Sequence, residues 1–226
     1  MWDVGGYDKR KVEDLATTIQ DTYEAVCDKI ETKLNEDFIT PMSTVWYAPE
    51  AKEYFEGVAQ DVENMADTMR QAYSNYRDWI QAAGENWWEN TKGSGGGGLK
   101  PELKTISDEN ITLSVKKIKE SQGNTVKMDE QACYNIADRL DTIRTECLNI
   151  VKTEHAKLNA SSAFLGHGQA QAANDCFVEV ANAIDQLFKI LSSFKDDLHK
   201  AAEKYKKVAE NIANNLKNAK NTVQGN

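Results

Sequence analysis

Between Gln169 and Thr222 the chain has neither proline nor glycine, and its apolar residues step three and four apart. Phe177, Val180, Ile184, Leu187, Leu191, Phe194, Leu198, Ala201, Tyr205, Val208, Ile212 and Leu216 fall on one side of a helix. Drawn as one helix from Gly168 to Thr222, at about 1.5 Å per residue, it would run to about 80 Å. A stripe that narrow and that long is predicted to be buried against other long helices.

The same alternation recurs upstream. From about Asp8 to Asp37, Val12, Leu15, Ile19, Tyr23, Val26, Ile30 and Leu34 recur in step, with Phe38 closing the row. Pro41 is predicted to end this helix, because the residue before a proline is pushed out of helical geometry. Pro49 suits the first turn of a second helix, to about Trp88, with Ala51, Phe55, Val58, Val62, Met65, Met69, Ala72, Tyr76, Trp79 and Ala83 on its inner face. Gly57 and Gly84 each cost about 1 kcal/mol there relative to alanine. A third helix starts near Asp129, with Cys133, Ile136, Leu140, Ile143, Cys147, Ile150 and Leu158 in line. The turn before the final helix spans 160–168.

The expected fold is all-α: two tandem antiparallel helical hairpins closing into an elongated four-helix bundle. Residues 1–92 form the first hairpin, 93–127 a Gly-rich linker and strap, and 128–226 the second hairpin. Gly93-Ser94-Gly95-Gly96-Gly97-Gly98 reads as a flexible joint. It is no phosphate loop, since neither Lys-Ser nor Lys-Thr follows it. In the strap Ile111, Leu113 and Val115 alternate, and Gln122-Gly123-Asn124 reads as a turn, giving a small β-hairpin or an extended strap at about 110–127.

Charge narrows the partners. The net charge is −9, and residues 1–92 hold 9 basic against 19 acidic side chains, which leaves the remainder at net +1. A phosphate backbone selects for a basic footprint, so no nucleic-acid partner is expected. The seven lysines between Lys195 and Lys220 are mixed with Asp196, Asp197, Glu203 and Glu210 and read as a solvated outer face. No apolar run reaches membrane-spanning length, and Met1 leads into Trp2-Asp3-Val4 with no signal-peptide pattern. Cytoplasmic synthesis is expected, with export, if any, by a route that reads no cleaved peptide.

The residue pattern contains no recognisable catalytic constellation. Cys27, Cys133, Cys147 and Cys176 lack metal-ligand spacing and read as buried thiols, with Cys147 and Cys176 the one pair that a turn near 162 would set at similar heights on facing helices. His155 and His199 read as solvated helix residues and His167 as a turn residue. The carboxylates lie on outward helix faces. The expectation is a non-enzyme with no cofactor and no metal. Trp79, Trp87 and Trp88 cluster at the far end of the second helix, either as packing and an end cap or as a docking patch for a partner.

Each half reads as helix, short loop, helix, and each loop has an aromatic-X-small triplet: Trp46-Tyr47-Ala48 in the first, Phe164-Leu165-Gly166 in the second. On this layout the chain resembles the Trp-X-Gly (WXG) superfamily, the ESAT-like helical-hairpin substrates of bacterial type VII secretion, with two members fused. Ala48 stands where the family has glycine, and Phe164 where it has tryptophan. In that family a Tyr-X-X-X-Asp/Glu signal follows the second helix. Here Tyr205 has Ala209 four places on and Glu210 one further, while Tyr134 and Asp138 have the spacing but open the third helix.

The resemblance implies a secreted substrate, partner or targeting chaperone that binds through its helices. The implied partners are another WXG-like protein, a toxin with a targeting domain, or the secretion ATPase, with a homodimer also open. A membrane-active helical toxin component and a cytoplasmic coiled-coil scaffold are the alternatives, although the acidic first half disfavours anionic lipid.

Overall fold

The computed structural model describes residues 6–91, 100, 102–103 and 105–224. The Gly-rich joint at 93–98 lies outside the described residues. The architecture is all-α with one two-stranded ladder. The helices are α1 (Lys9–Leu34), α2 (Thr40–Val45), α3 (Pro49–Thr91), α4 (Glu130–His155), α5 (His167–Leu187) and α6 (Ile190–Gln224). The strands are β1 (Trp46–Tyr47) and β2 (Lys127–Met128), antiparallel with Trp46 opposite Met128.

Pro41 does not end the first helix. Proline has no N–H and its ring crowds the carbonyl four residues back. The backbone answers by widening: Asn35–Ile39 is a π turn in which the Thr40 N–H bonds to the Asn35 carbonyl. Pro41 then sits in the first turn of α2, where its missing donor costs nothing. Helical geometry runs on to Val45, and Trp46 swings out at φ −133° and ψ 116°. Pro49 opens α3 as expected, with the Ala48 carbonyl accepting from the Ala51 and Lys52 N–H groups at 3.0 and 3.3 Å.

The stretch from Gly168 to Thr222 is two helices. The break is at Phe188, whose ψ of −8° closes the turn more tightly than an α-helix does. No proline or glycine causes it. Phe188 is fully buried at the break.

The chain divides into two compact units that cut across the hairpins, so α1, α3 and α4 each contribute to both. The first comprises residues 1–32, 61–112 and 146–188. Its core joins four helices through rings: Tyr23 meets Tyr73 edge-on at 5.4 Å, Tyr73 meets His155 at 5.7 Å, and Phe177 meets both His155 and Tyr76. The strap lies on this core with Ile106 and Ile111 buried. It is tied down where the Tyr23 hydroxyl donates to the Glu109 carbonyl, the Glu31 carboxylate accepts from the Thr112 N–H at 2.7 Å, and Arg70 pairs with Asp108 at 3.2 Å.

The second unit comprises residues 33–60, 113–145 and 189–226. Phe38 is its centre, tilted against Phe55 at 5.6 Å and stacked on Phe194 at 6.5 Å. The buried Cys133 lies against the α6 backbone, its sulfur 3.9 Å from the Leu198 carbonyl. The strap continues here as a 3-10 turn at Val115–Lys117, with Leu113 and Ile118 buried. Asn35, in the π turn, accepts from the Ser114 N–H at 2.6 Å. Gln122 and Thr125 then exchange both backbone bonds around Gly123, whose φ of 62° is the left-handed geometry that glycine adopts without strain. A hairpin-like turn thus forms within the strap at Gln122–Thr125, while Lys127–Met128 pairs with Trp46–Tyr47.

Candidate protein-docking surface

The aromatic turns are anchors. In the second unit Trp46 is buried beside Tyr54, Phe55 and Tyr205, with ring centroids 6.0 to 6.2 Å away. The Asp129 N–H donates to the Val45 carbonyl at 2.9 Å, one residue before the tryptophan. In the first unit Phe164 is buried and tilted against Trp79 at 6.1 Å, and it bridges to Tyr7. There the Asp8 N–H donates to the Ala163 carbonyl at 3.0 Å, again one residue before the aromatic.

The correspondence extends further. Asp8 and Asp129 each cap the helix that follows, through Arg10 N–H and Ala132 N–H respectively. Each turn is thus pinned to the lead-in of the other hairpin's first helix, and its aromatic rests on an aromatic of the other hairpin's second helix. Ala48 is fully buried, Gly166 caps α5, Tyr47 is half-buried and Leu165 is 62% exposed. Tyr47 also borders an open cleft of about 620 Å³ that Lys117, Lys119 and Lys127 line.

Trp79, Trp87 and Trp88 are all half-buried. The register of α3 differs from the one expected at this end: Tyr73 and Ile80 are fully buried where Ala72 and Trp79 were placed. Trp79 is left on the flank, where Phe164 reaches it.

His155 corrects a second expectation. It is buried, with Nε2 2.6 Å from the Tyr73 hydroxyl, and lies between the Tyr73 and Phe177 rings. Burial pushes its pKa down to about 4, with the Glu154 charge opposing in part. Glu154 is itself buried, and hydrogen bonds from Lys157 and Lys29 hold its carboxyl below the usual range. Sequence spacing hides this network, because its members come from α1, α3 and α4. His199 stands closer to expectation, half-exposed, 3.0 Å from the Asp138 carboxylate and edge-on to Tyr134. His167 opens α5, and its side chain lies outside the described residues.

The four cysteines are free thiols, so Cys147 and Cys176 are not bonded. Among the described residues no group of three or more His, Cys, Asp or Glu side chains is placed to hold a metal ion, and no helix is long and apolar enough to cross a membrane.

The surface that stands apart is the outer part of α6. Its seam is buried through Leu191, Phe194, Leu198 and Ala202, and Tyr205 is half-buried against Trp46. Beyond Tyr205 the same seam continues in sequence but loses its cover. Val208, Ile212 and Leu216 are 51%, 54% and 67% exposed, and every residue from Lys206 to Asn218 is exposed. The expectation that the whole stripe is buried is overturned for its last three members, because no element of the described chain packs over them. Val126, also exposed, joins Tyr205, Val208, Lys204 and Glu50 around an apolar cleft of about 270 Å³ at the base of the stripe. Periodicity finds such a stripe but carries no information on whether an opposing surface exists.

Comparison of the chain with protein-family models, with curated proteins and with solved structures gives no match.

Proposed function

We propose that this chain acts without catalysis, as a helical module that binds another protein, in the manner of the substrates, partners and targeting chaperones of type VII secretion that its two hairpins resemble. One observation carries the binding part of this reading: the α6 seam runs past its own bundle with Val208, Ile212 and Leu216 open to solvent. Such a stripe on water is a cost unless a partner covers it. The paired anchoring of the two turns supports the tandem-hairpin half of the reading. Each turn uses an aromatic packed on the opposite hairpin and a backbone bond to the aspartate that caps the opposite first helix.

The test is export. In a native host carrying a type VII ATPase, the protein is expected in the culture medium, and inactivating the ATPase is expected to hold it in the cell. Equal amounts in the medium with and without the ATPase would remove the secretion reading. Ile212→Asp is expected to reduce recovery of the bound partner without changing the helical content of the purified chain.

A further inference from the structure

The cleft beside Tyr47 gathers lysines from two separate pieces of local geometry. Ile118 is buried with extended backbone, φ −72° and ψ 126°. Alternation along such a segment sends Lys117 and Lys119 to the opposite, outer side, and both are exposed. The ladder sets Lys127 directly opposite Tyr47, and residues opposite one another in an antiparallel pair share a face. Ser43 and Thr44 of α2 and Gln122 of the hairpin-like turn complete the open cleft of about 620 Å³, all of it within the second unit.

Among the described residues no carboxylate lines this cleft. The acids nearest in sequence are engaged elsewhere: Glu120 pairs with Lys52 at 2.8 Å, and the Asp129 carboxylate accepts from the Ala132 N–H at 3.1 Å. Lys117 donates to the Thr40 hydroxyl at 3.0 Å, and among the described residues none of the three lysines has an acidic partner. With 36 acidic side chains against 27 basic ones, an acid-free group of three lysines runs against the balance of the chain. The carbonyl end of the helix that stops at Val45 offsets about half a positive charge, which leaves about two and a half.

We infer that this cleft binds a small molecule carrying two or more adjacent phosphate groups. The site is separate from the α6 seam and does not depend on the protein-binding reading. A lone carboxylate would neutralise one charge, whereas each phosphate monoester brings about −1.5 to −2 at neutral pH, so adjacent phosphates match the clustered ammoniums. Lysine suits the task as a compact point charge with three donors. The Ser43 and Thr44 hydroxyls donate to the Thr40 and Pro41 carbonyls at 2.7 and 2.8 Å, so the further donors to a ligand are the Tyr47 hydroxyl and the Gln122 amide. The volume falls within the range of small-molecule sites, about 300–1,000 Å³. An extended polyanion such as a nucleic acid would meet the acidic remainder of the chain, which favours a compact ligand.

The test titrates the full chain at low ionic strength with inorganic triphosphate in a calorimeter, with sulfate as the single-anion comparison. Triphosphate is expected to bind about tenfold or more tightly than sulfate and to weaken as salt is raised. The double change Lys119→Gln with Lys127→Gln is expected to weaken it about tenfold or more, whereas Lys200→Gln with Lys207→Gln, which removes the same charge from α6, changes it less than about twofold. Circular dichroism checks that both variants keep their helices. A second arm offers vesicles containing phosphatidylinositol bisphosphate beside vesicles of phosphatidylserine. Capture by the first alone, lost in the Lys119→Gln, Lys127→Gln variant, makes a lipid headgroup the source of the phosphates. Triphosphate binding without vesicle capture makes the source a soluble compound. Equal affinity for sulfate and triphosphate, equal losses in the two double variants, capture by both vesicles alike, or binding in neither arm overturns the site.

Discussion

Trp46 and Tyr205 stand edge to face, with centroids 6.1 Å apart and planes at 80°. Tyr205 is where burial of the α6 seam stops, so Trp46 closes the second unit at the point where the helix leaves it. The pair behaves as an anchor: Trp46 is 3% exposed and also meets Tyr54 and Phe55. Trp46→Ala is expected to cost about 3–5 kcal/mol in denaturant unfolding, the usual range for a large aromatic removed from a core. Leu165→Ala, in the matching turn but 62% exposed, is expected to change stability by less than about 0.5 kcal/mol. Equal effects from the two changes would mean that the turns are not held by their aromatics.

His155 gives the fold an acid sensitivity whose sign is fixed by its environment. Its pKa is about 4 in the folded chain, against an ordinary value near 6.5, so the fold favours the neutral ring. Stability from this group is fully present above about pH 6.5 and is lost as the pH falls towards 4, because the unfolded chain then takes up the proton first. Between pH 6.5 and 5 the loss is about 1.5 kcal/mol. His155→Gln keeps a polar partner for the Tyr73 hydroxyl and removes the titration, so its unfolding midpoint is expected to vary less over that window. The depressed carboxyl of Glu154 adds loss only at lower pH, below the ordinary range of a glutamate.

Periodicity accounts for the inner face of α1 and of the π turn after it, since every residue it places there, from Val12 to Phe38, is buried. It was less sufficient wherever a second segment decides the outcome. In α3 the register shifts from Ala72 and Trp79 to Tyr73 and Ile80, where Tyr73 finds Tyr23 and His155. The local effect of Pro41 alone predicts a helix end, whereas the π turn that accommodates it forms in the residues before it. The ladder of Trp46 with Met128 joins segments far apart in sequence, and no short-range signal in either announces the other. The turn triplets were visible as pattern, but their anchoring to Asp8 and Asp129 was not.

Gly57 separates propensity from packing. It lies exposed within α3, and a Cβ added there meets nothing within 4 Å. Gly57→Ala is therefore expected to stabilise the chain by about 0.5–1 kcal/mol, through backbone entropy in the unfolded state and with no new contact. A loss of stability in chemical denaturation would show that this face of α3 is covered in solution.

The thiols offer a readout of the two units. Cys27 and Cys133 are fully buried, and burial pushes each pKa up to about 11, so little reactive thiolate is present at pH 8. Cys176 is only half-buried, although its pKa is also raised. With a disulfide reagent under native conditions, Cys176 is expected to react first, and Cys27 and Cys133 at rates limited by opening of their own units. Mass spectrometry of the partly labelled protein identifies the order, and early labelling of Cys27 would contradict the buried core between α1 and α3.

The seam of α6 lets one helix test where the bundle ends. Leu198 and Ile212 are aliphatic residues on the same helical line, but Leu198 is fully buried and Ile212 is 54% exposed. Area removed from water sets the cost of truncation, together with the cavity left behind. Leu198→Ala is therefore expected to cost about 2–5 kcal/mol, and Ile212→Ala less than about 1 kcal/mol in the isolated chain. Amide exchange should follow the same divide, slow through Leu198 and fast beyond Lys206, because protection follows burial and local contact density. Adding a partner that covers the stripe would then slow exchange at Val208, Ile212 and Leu216 and raise the cost of Ile212→Ala towards that of Leu198→Ala. Strong protection across 206–218 without any partner would place the seam against another surface already, and the open face described for α6 would be wrong.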